Sequence, residues 1–228
     1  MAKTQVKSPF FIFNPKSFLY GEELLELAKV ADQEAEKHPE ISVFVTCPYA
    51  DLAAVSQATE HIIVSAQHLD GIEAGRGMGK VLPESLQAAG ARATFLNHAE
   101  NAMTMAEIVQ AVQRADDLDI ITIVCADSMK EAQALATLHP DIILCEPTEL
   151  IGTGQTSDAS YIESTNEAIK AIDENILVMQ AAGISTADDV YRTIEMGADG
   201  TGCTSGITKA DNSKQMLKDM IQADAKTK

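Results

Sequence analysis

The chain has 228 residues, a length that suits one large domain or two small ones and can build a core without disulfides or structural metals, and 46% hydrophobic with 22% charged residues is ordinary globular composition. Seventeen Lys and Arg stand against 34 Asp and Glu, a formal net charge of -17, which argues against nucleic acid and anionic membrane surfaces, since both need clustered cations. A small anionic ligand stays open, because a few local cations and backbone amides can bind one inside an acidic protein.

No apolar run approaches the roughly 18 residues of a membrane span. The opening Met1 to Lys7 has no signal-like apolar core before Pro9, so a cytoplasmic location is expected. Cys47, Cys125, Cys145 and Cys203 form no Cys-x-x-Cys pair, and each falls at or near the end of an apolar run; they read as buried free thiols.

Taken in chain order, Phe10 to Phe13 reads as a strand. Glu22 to Lys37 follows as a helix with Leu24, Leu27, Ala28 and Ala31 on one stripe. Ile41 to Val45 is the next clear strand, and shorter runs begin near His61 and Arg92. Thr104 to Arg114 is helical, with Met105, Ile108, Val109 and Val112 as its apolar stripe. Strands follow at Ile120 to Val124, Ile142 to Leu144 and Ile176 to Met179, with a last run beginning at Asp199. Ser185-Thr186-Ala187-Asp188 starts one helix, and Asp211-Asn212 starts the final one, which carries Met216, Leu217, Met220 and Ile221. The eight runs from Pro9 to Asp199 are spaced by about 27 residues, room for a strand, a helix and two short loops. Near-continuous apolar strands imply burial on both faces, as in a parallel sheet covered by helices. No composition break divides the chain, so residues 1–228 are expected to form a single α/β domain, a closed (β/α)8 barrel. A doubly wound open sheet is the alternative, but the early Gly-rich fingerprint common to it is missing.

In such a barrel the chemistry belongs at the C-terminal ends of the strands. After the first comes Asn14-Pro15-Lys16, where Lys16 reads either as a fixed cation facing an anion or as a surface lysine capping the loop. After the fourth comes Asn97-His98-Ala99-Glu100; His98 is either a proton-transfer group or a packed histidine. After the sixth, Glu146 is a general base with a raised pKa or a solvated carboxylate. The stretch from Pro147 to Gly154 that follows, ending in Gly-Thr-Gly, fits a lid or an exposed loop. Ala182-Gly183-Ile184-Ser185 and Cys203-Thr204-Ser205-Gly206, after the seventh and eighth strands, let backbone amides approach an anion.

Lys after strand 1, His-x-Glu after strand 4, Glu-Pro then Gly-Thr-Gly after strand 6, and small-residue turns after strands 7 and 8 resemble triosephosphate isomerases. The likeness runs in order from about Phe11 to Lys209, and the short length is most similar to the compact, archaeal-type branch. The resemblance implies a TIM barrel that interconverts D-glyceraldehyde 3-phosphate and dihydroxyacetone phosphate in the cytoplasm, with no metal or organic cofactor. It implies Lys16, His98 and Glu146 as catalytic residues. Asn14, Gly152, Ser185, Thr204 and Ser205 would bind substrate, with Asn97 and Glu100 behind them and Glu100 paired to Lys16. It further implies a homo-oligomer, dimer or tetramer, in which the loop from Leu69 to Val81, with Met78 at its tip, enters a second subunit. The usual Ser between His and Glu is Ala99 here, and the usual Gly-Gly at strand 8 is Thr204-Ser205. These departures leave open an isomerase of a four-carbon keto-sugar phosphate such as an erythrulose phosphate. A non-catalytic sugar-phosphate-binding barrel is a further alternative, against which the three catalytic windows speak.

Overall fold

Every apolar run becomes a strand, and the alternation of side chains along each strand builds two separate cores. The structure, a computed structural model, describes residues 3–146 and 158–228. The strands are β1 (Phe10–Phe13), β2 (Ser42–Cys47), β3 (Ile63–Ala66), β4 (Ala93–Leu96), β5 (Ile121–Ala126), β6 (Ile142–Cys145), β7 (Leu177–Gln180) and β8 (Gly200–Cys203). They run parallel and pair in chain order, and β1 pairs with β8 to close the barrel, with Phe10 opposite Gly200 and Phe13 opposite Cys203. The helices are α1 (Gly21–Lys37), α2 (Leu52–Ala58), α3 (Pro83–Ala88), α4 (Met105–Asp117), α5 (Met129–Ala136), α6 (Ala159–Lys170), α7 (Ala187–Glu195), α8 (Ser205–Thr208) and α9 (Ser213–Ala225). The expected (β/α)8 barrel is therefore the fold.

Inside the barrel, Phe10, Ile12, Phe44, Phe95, Ile121, Ile123, Leu144 and Met179 form one buried cluster. Their strand neighbours Phe11, Phe13, Val43, Val45, Val124, Ile143 and Val178 point outward into a second cluster shared with the helices. Period-two alternation with both faces buried is why these strands lack the polar alternation of a half-exposed sheet. Phe10 meets Phe44 edge-on at 5.8 Å between ring centroids. Phe10 fits because its neighbour across the seam is Gly200: a Cβ there would lie 2.4 Å from the Phe10 ring.

The helix starts are set by side chains. Thr104 accepts from the Glu107 N–H while Glu107 accepts from the Thr104 N–H, a reciprocal cap on α4; Thr186 and Asp189 do the same for α7. Asn212 accepts from the Gln215 N–H at 3.1 Å and caps α9. One stripe is corrected. On α4 the buried residues are Ile108, Ala111, Val112 and Ala115, whereas Met105 and Val109 are exposed. The buried face is turned toward alanines, which let the helix axis lie close to the sheet where a longer side chain would hold it off.

Candidate active site

Lys16 sits in the turn after β1 with φ of +52°, a left-handed conformation that a lysine adopts only when its surroundings hold it there. The holding contacts come from three sides. Its N–H donates to Asn14 Oδ1 at 3.0 Å, its carbonyl accepts from Gln67 Nε2 at 2.8 Å, and its ammonium donates to Glu100 Oε1 at 2.6 Å. Asn14 is tied in turn to the next rim turn, its N–H donating to the Cys203 carbonyl at 3.2 Å. The ion pair with Glu100 holds that carboxyl below its ordinary 4.5, and the hydrogen bond from Lys16 is the main favourable cause.

His98 follows β4. The Glu100 backbone N–H donates to its Nδ1 at 3.1 Å, so in the neutral ring the proton resides on Nε2. Burial, helped by the Lys16 charge and opposed by Glu100, pushes the imidazole below its ordinary 6.5 and keeps it neutral. Asn97 before it has φ of +57° and points away from the ring, donating through Nδ2 to the Cys125 carbonyl and to Glu131 Oε1, both at 3.0 Å. Its Oδ1 accepts from the Met103 N–H at 3.0 Å. Asn97 thereby ties the β4 turn to β5, α5 and the start of α4.

Glu146 is the first residue past β6, and its N–H donates to the Ala126 carbonyl at the end of β5 at 3.0 Å. Burial pushes its carboxyl above 4.5; the Lys16 charge works against that rise, and Glu100 adds to it. A carboxylate that is costly to leave charged, beside a neutral imidazole with an N–H to give, is a base and acid poised for proton transfer.

The remaining wall comes from β7 and β8. Both donors of Ser185, the N–H at 3.1 Å and Oγ at 3.0 Å, go to Asp189 Oδ2 as part of the α7 cap. Gly206 lies so close to the β7 turn that a Cβ would come within 2.8 Å of Ser185 Cα and O. Thr204 stands at the start of the short α8. One cavity of about 260 Å³ is lined by Asn14, Lys16, His98, Glu100 and Glu146 on one side and by Ser185, Thr204, Ser205 and Lys209 on the other. Residues from five strand ends, more than a hundred positions apart in the chain, thus share one mouth.

A model of the triosephosphate isomerase family matches residues 9–223. The chain belongs to the triosephosphate isomerase family. It is an enzyme of aldose–ketose isomerisation, interconverting D-glyceraldehyde 3-phosphate and dihydroxyacetone phosphate. Among its relatives, the triosephosphate isomerase of Methanobacterium bryantii is 38% identical over 220 residues, covering 94% of this chain and 96% of that protein. That of Sulfurisphaera tokodaii is 36% identical over 220 residues, covering 95% of each chain. That of Methanocaldococcus jannaschii is 34% identical over 205 residues, covering 89% of this chain and 93% of its own length. The archaeal character of these relatives agrees with the short length.

Of the residues singled out from sequence, Lys16, His98, Glu146, Asn14, Glu100, Ser185, Thr204 and Ser205 line the cavity, whereas Asn97 supports it from behind. Gly152 and the Pro147 to Gly154 stretch lie outside the described residues. Two residues were missed. Gln67 holds the Lys16 carbonyl, and its signal was its place directly past β3, a rim window that carried no recognisable motif. Lys209 lines the cavity from beyond α8, where its separation from the strand end hid it. All four cysteines are buried and free, and burial pushes Cys47 and Cys145 up to about 12 and Cys203 up to about 11. Among the described residues no helix is long and apolar enough to cross a membrane.

Proposed function

We propose that Glu146 is the base that takes a proton from one substrate carbon and returns it to its neighbour, with His98 as the electrophile and Lys16 as the fixed cation. The observation that carries this reading is the single cavity lined by the ammonium, the neutral imidazole and the desolvated carboxylate. Glu146 takes the proton as the C–H bond beside the carbonyl breaks, the electron pair becomes the C=C bond, and the carbonyl oxygen takes the His98 Nε2 proton to give the enediol. His98 then moves the proton between the two oxygens, and Glu146 delivers its proton to the adjacent carbon. Atoms and electrons balance within the substrate and these two groups. Asn14 and Glu100 hold Lys16, and Asn97 holds the His98 turn. Ser185, Thr204 and Ser205 take the phosphate end.

Steady-state assay of the purified protein on triose phosphates and on erythrulose phosphates tests the reading: a higher kcat/KM for the triose is expected. Preference for the four-carbon sugar would overturn the assignment of the substrate.

The same reading includes a homo-oligomer in the cytoplasm. The loop between β3 and α3 is pinned at its base by Asp70, which accepts from the Val81 N–H and pairs with Lys80 at 3.1 Å. Arg114 Nε donates to the Ile72 carbonyl at 3.1 Å and fastens the loop to α4. Met78 at the tip is fully exposed. A second cavity of about 180 Å³, lined by Lys16, Tyr49, Gln67, His68 and His98, is the receptor offered to a partner's tip. Sedimentation at micromolar concentration is expected to give a dimer or tetramer; a 24.4 kDa species would contradict it.

A further inference from the structure

The charges around the cavity pose a problem for a dianionic substrate. Apart from the buried Cys203 thiol, which burial pushes up to about 11, the titratable side chains that line it are Lys16, His98, Glu100, Glu146 and Lys209. The Lys16 ammonium is already held by Glu100 at 2.6 Å, and His98 is kept neutral by burial. With Glu146 ionised, the catalytic side of the cavity carries one positive and two negative charges. The whole chain, these groups included, carries a formal net charge of -17. On the opposite wall, both donors of Ser185 are engaged by Asp189. The paired Lys16 and the engaged Ser185 leave a phosphate to the turns at Gly183, Thr204 and Ser205, and neither wall described so far brings it an unpaired cation.

Lys209 is the remaining cation. It follows α8 as its C-cap, with its N–H donating to the Ser205 carbonyl at 3.0 Å, so the helical turn that begins at Thr204 delivers its side chain back to the cavity lined by Thr204 and Ser205. It is exposed, and among the described residues it makes no ion pair. We propose that Lys209 is a substrate-binding residue: its ammonium receives the phosphate dianion at the β7–β8 side of the cavity, opposite Lys16, and sets affinity without touching the reacting carbons. The proposal rests on the sugar-phosphate reading above for the identity of the ligand. Lys16 then serves the oxygens that change charge during proton transfer, and Lys209 serves the group that does not. An interaction equal in ground state and transition state raises affinity and leaves turnover alone.

The test is a set of variants measured by kinetics and by direct binding of inorganic phosphate in calorimetry. Lys209→Gln is expected to raise KM for D-glyceraldehyde 3-phosphate about 5- to 20-fold with kcat within about twofold, and to weaken phosphate binding by a similar factor. Added salt should weaken binding less steeply in the variant than in the parent. Lys209→Arg should keep most of the affinity, and Lys209→Glu should lose more than the glutamine. Lys214→Gln on α9, where Lys214 pairs with Glu26 at 3.1 Å, removes one positive charge from the surface and is expected to leave KM unchanged. A purely structural lysine at a helix end would lower Tm in Lys209→Gln while phosphate affinity stayed the same, and that result overturns the proposal. Equal losses in Lys209→Gln and Lys214→Gln would overturn it too, because net charge alone would then be responsible. If the parent protein binds phosphate, Lys209→Gln weakens it, and triose phosphates are not isomerised, the isomerase reading fails while the role of Lys209 stands. A parent protein that binds no phosphate overturns both.

Discussion

Burial moves His98 and Glu146 in opposite directions for one reason: the charged form of each is the one that loses water. The imidazole falls below 6.5 and stays neutral, whereas the carboxyl rises above 4.5 and becomes a stronger base once ionised. The acid limb of kcat/KM follows from the sign. As pH falls through the raised Glu146 value the carboxylate is protonated and activity is lost, so the limb should lie above 4.5. Glu146→Asp, which withdraws the carboxylate by one methylene, should lower kcat by about 100-fold or more with little change in KM. A near-normal kcat would remove Glu146 from the role of base. Lys16 depresses the pKa of both groups, so in Lys16→Ala the His98 ring should titrate at higher pH, read by NMR. Unmoved ring signals would show that the ammonium does not act on the imidazole.

At the scale of elements, the site depends on how turns are pinned between neighbours. Asn97 bridges β4 to β5 and α5, Asn14 joins the β1 and β8 turns, and Gly206 sets the β8 turn against Ser185. Gly206→Ala would insert a methyl 2.8 Å from both the Ser185 backbone and Cys203 Sγ, so main chain as well as a side chain would have to give way. It should cost about 1–3 kcal/mol of stability and raise KM while kcat changes less, because the strain falls on the substrate-binding side. Thr104→Ala breaks the reciprocal cap of α4, which begins just beyond the His98 turn. A loss of about 1 kcal/mol in denaturant unfolding is expected, with activity retained.

At the scale of the whole molecule, two buried carboxyls outside the site differ: Glu34 pairs with Lys37, whereas Asp224 has no cation beside it among the described residues. Asp224 on α9 is fully buried, and neither of its carboxyl oxygens has a partner among the described residues. Burial pushes its pKa from 3.8 up to about 8. The folded protein therefore keeps a proton that the unfolded chain has already released, and stability declines as pH rises between those values, then levels off above about 8. Asp224→Leu should remove that slope and raise Tm at pH 8 by about 5 °C or more, with a smaller gain at pH 4. Equal Tm values at pH 8 would show that the folded protein solvates this carboxylate.

Much of this was legible in the residues themselves. Local chemistry determined where strands and helices begin: β-branched and aromatic runs such as Phe10 to Phe13 have both faces to bury, and Thr104, Thr186 and Asn212 can satisfy backbone N–H groups that a helix start leaves open. The order of Lys16, His98, Glu146 and the small turns along a repeating strand–helix unit also pointed to the chemistry. Packing decided the rest. That Met105 and Val109 face outward, that Gly200 makes room for Phe10, that Gln67 holds the Lys16 turn and that Lys209 reaches the cavity all depend on distances between segments far apart in the chain. A linear pattern encodes the period of an element, but only closure of the barrel brings β1 against β8 and turns scattered polar residues into one desolvated site with shifted pKa values.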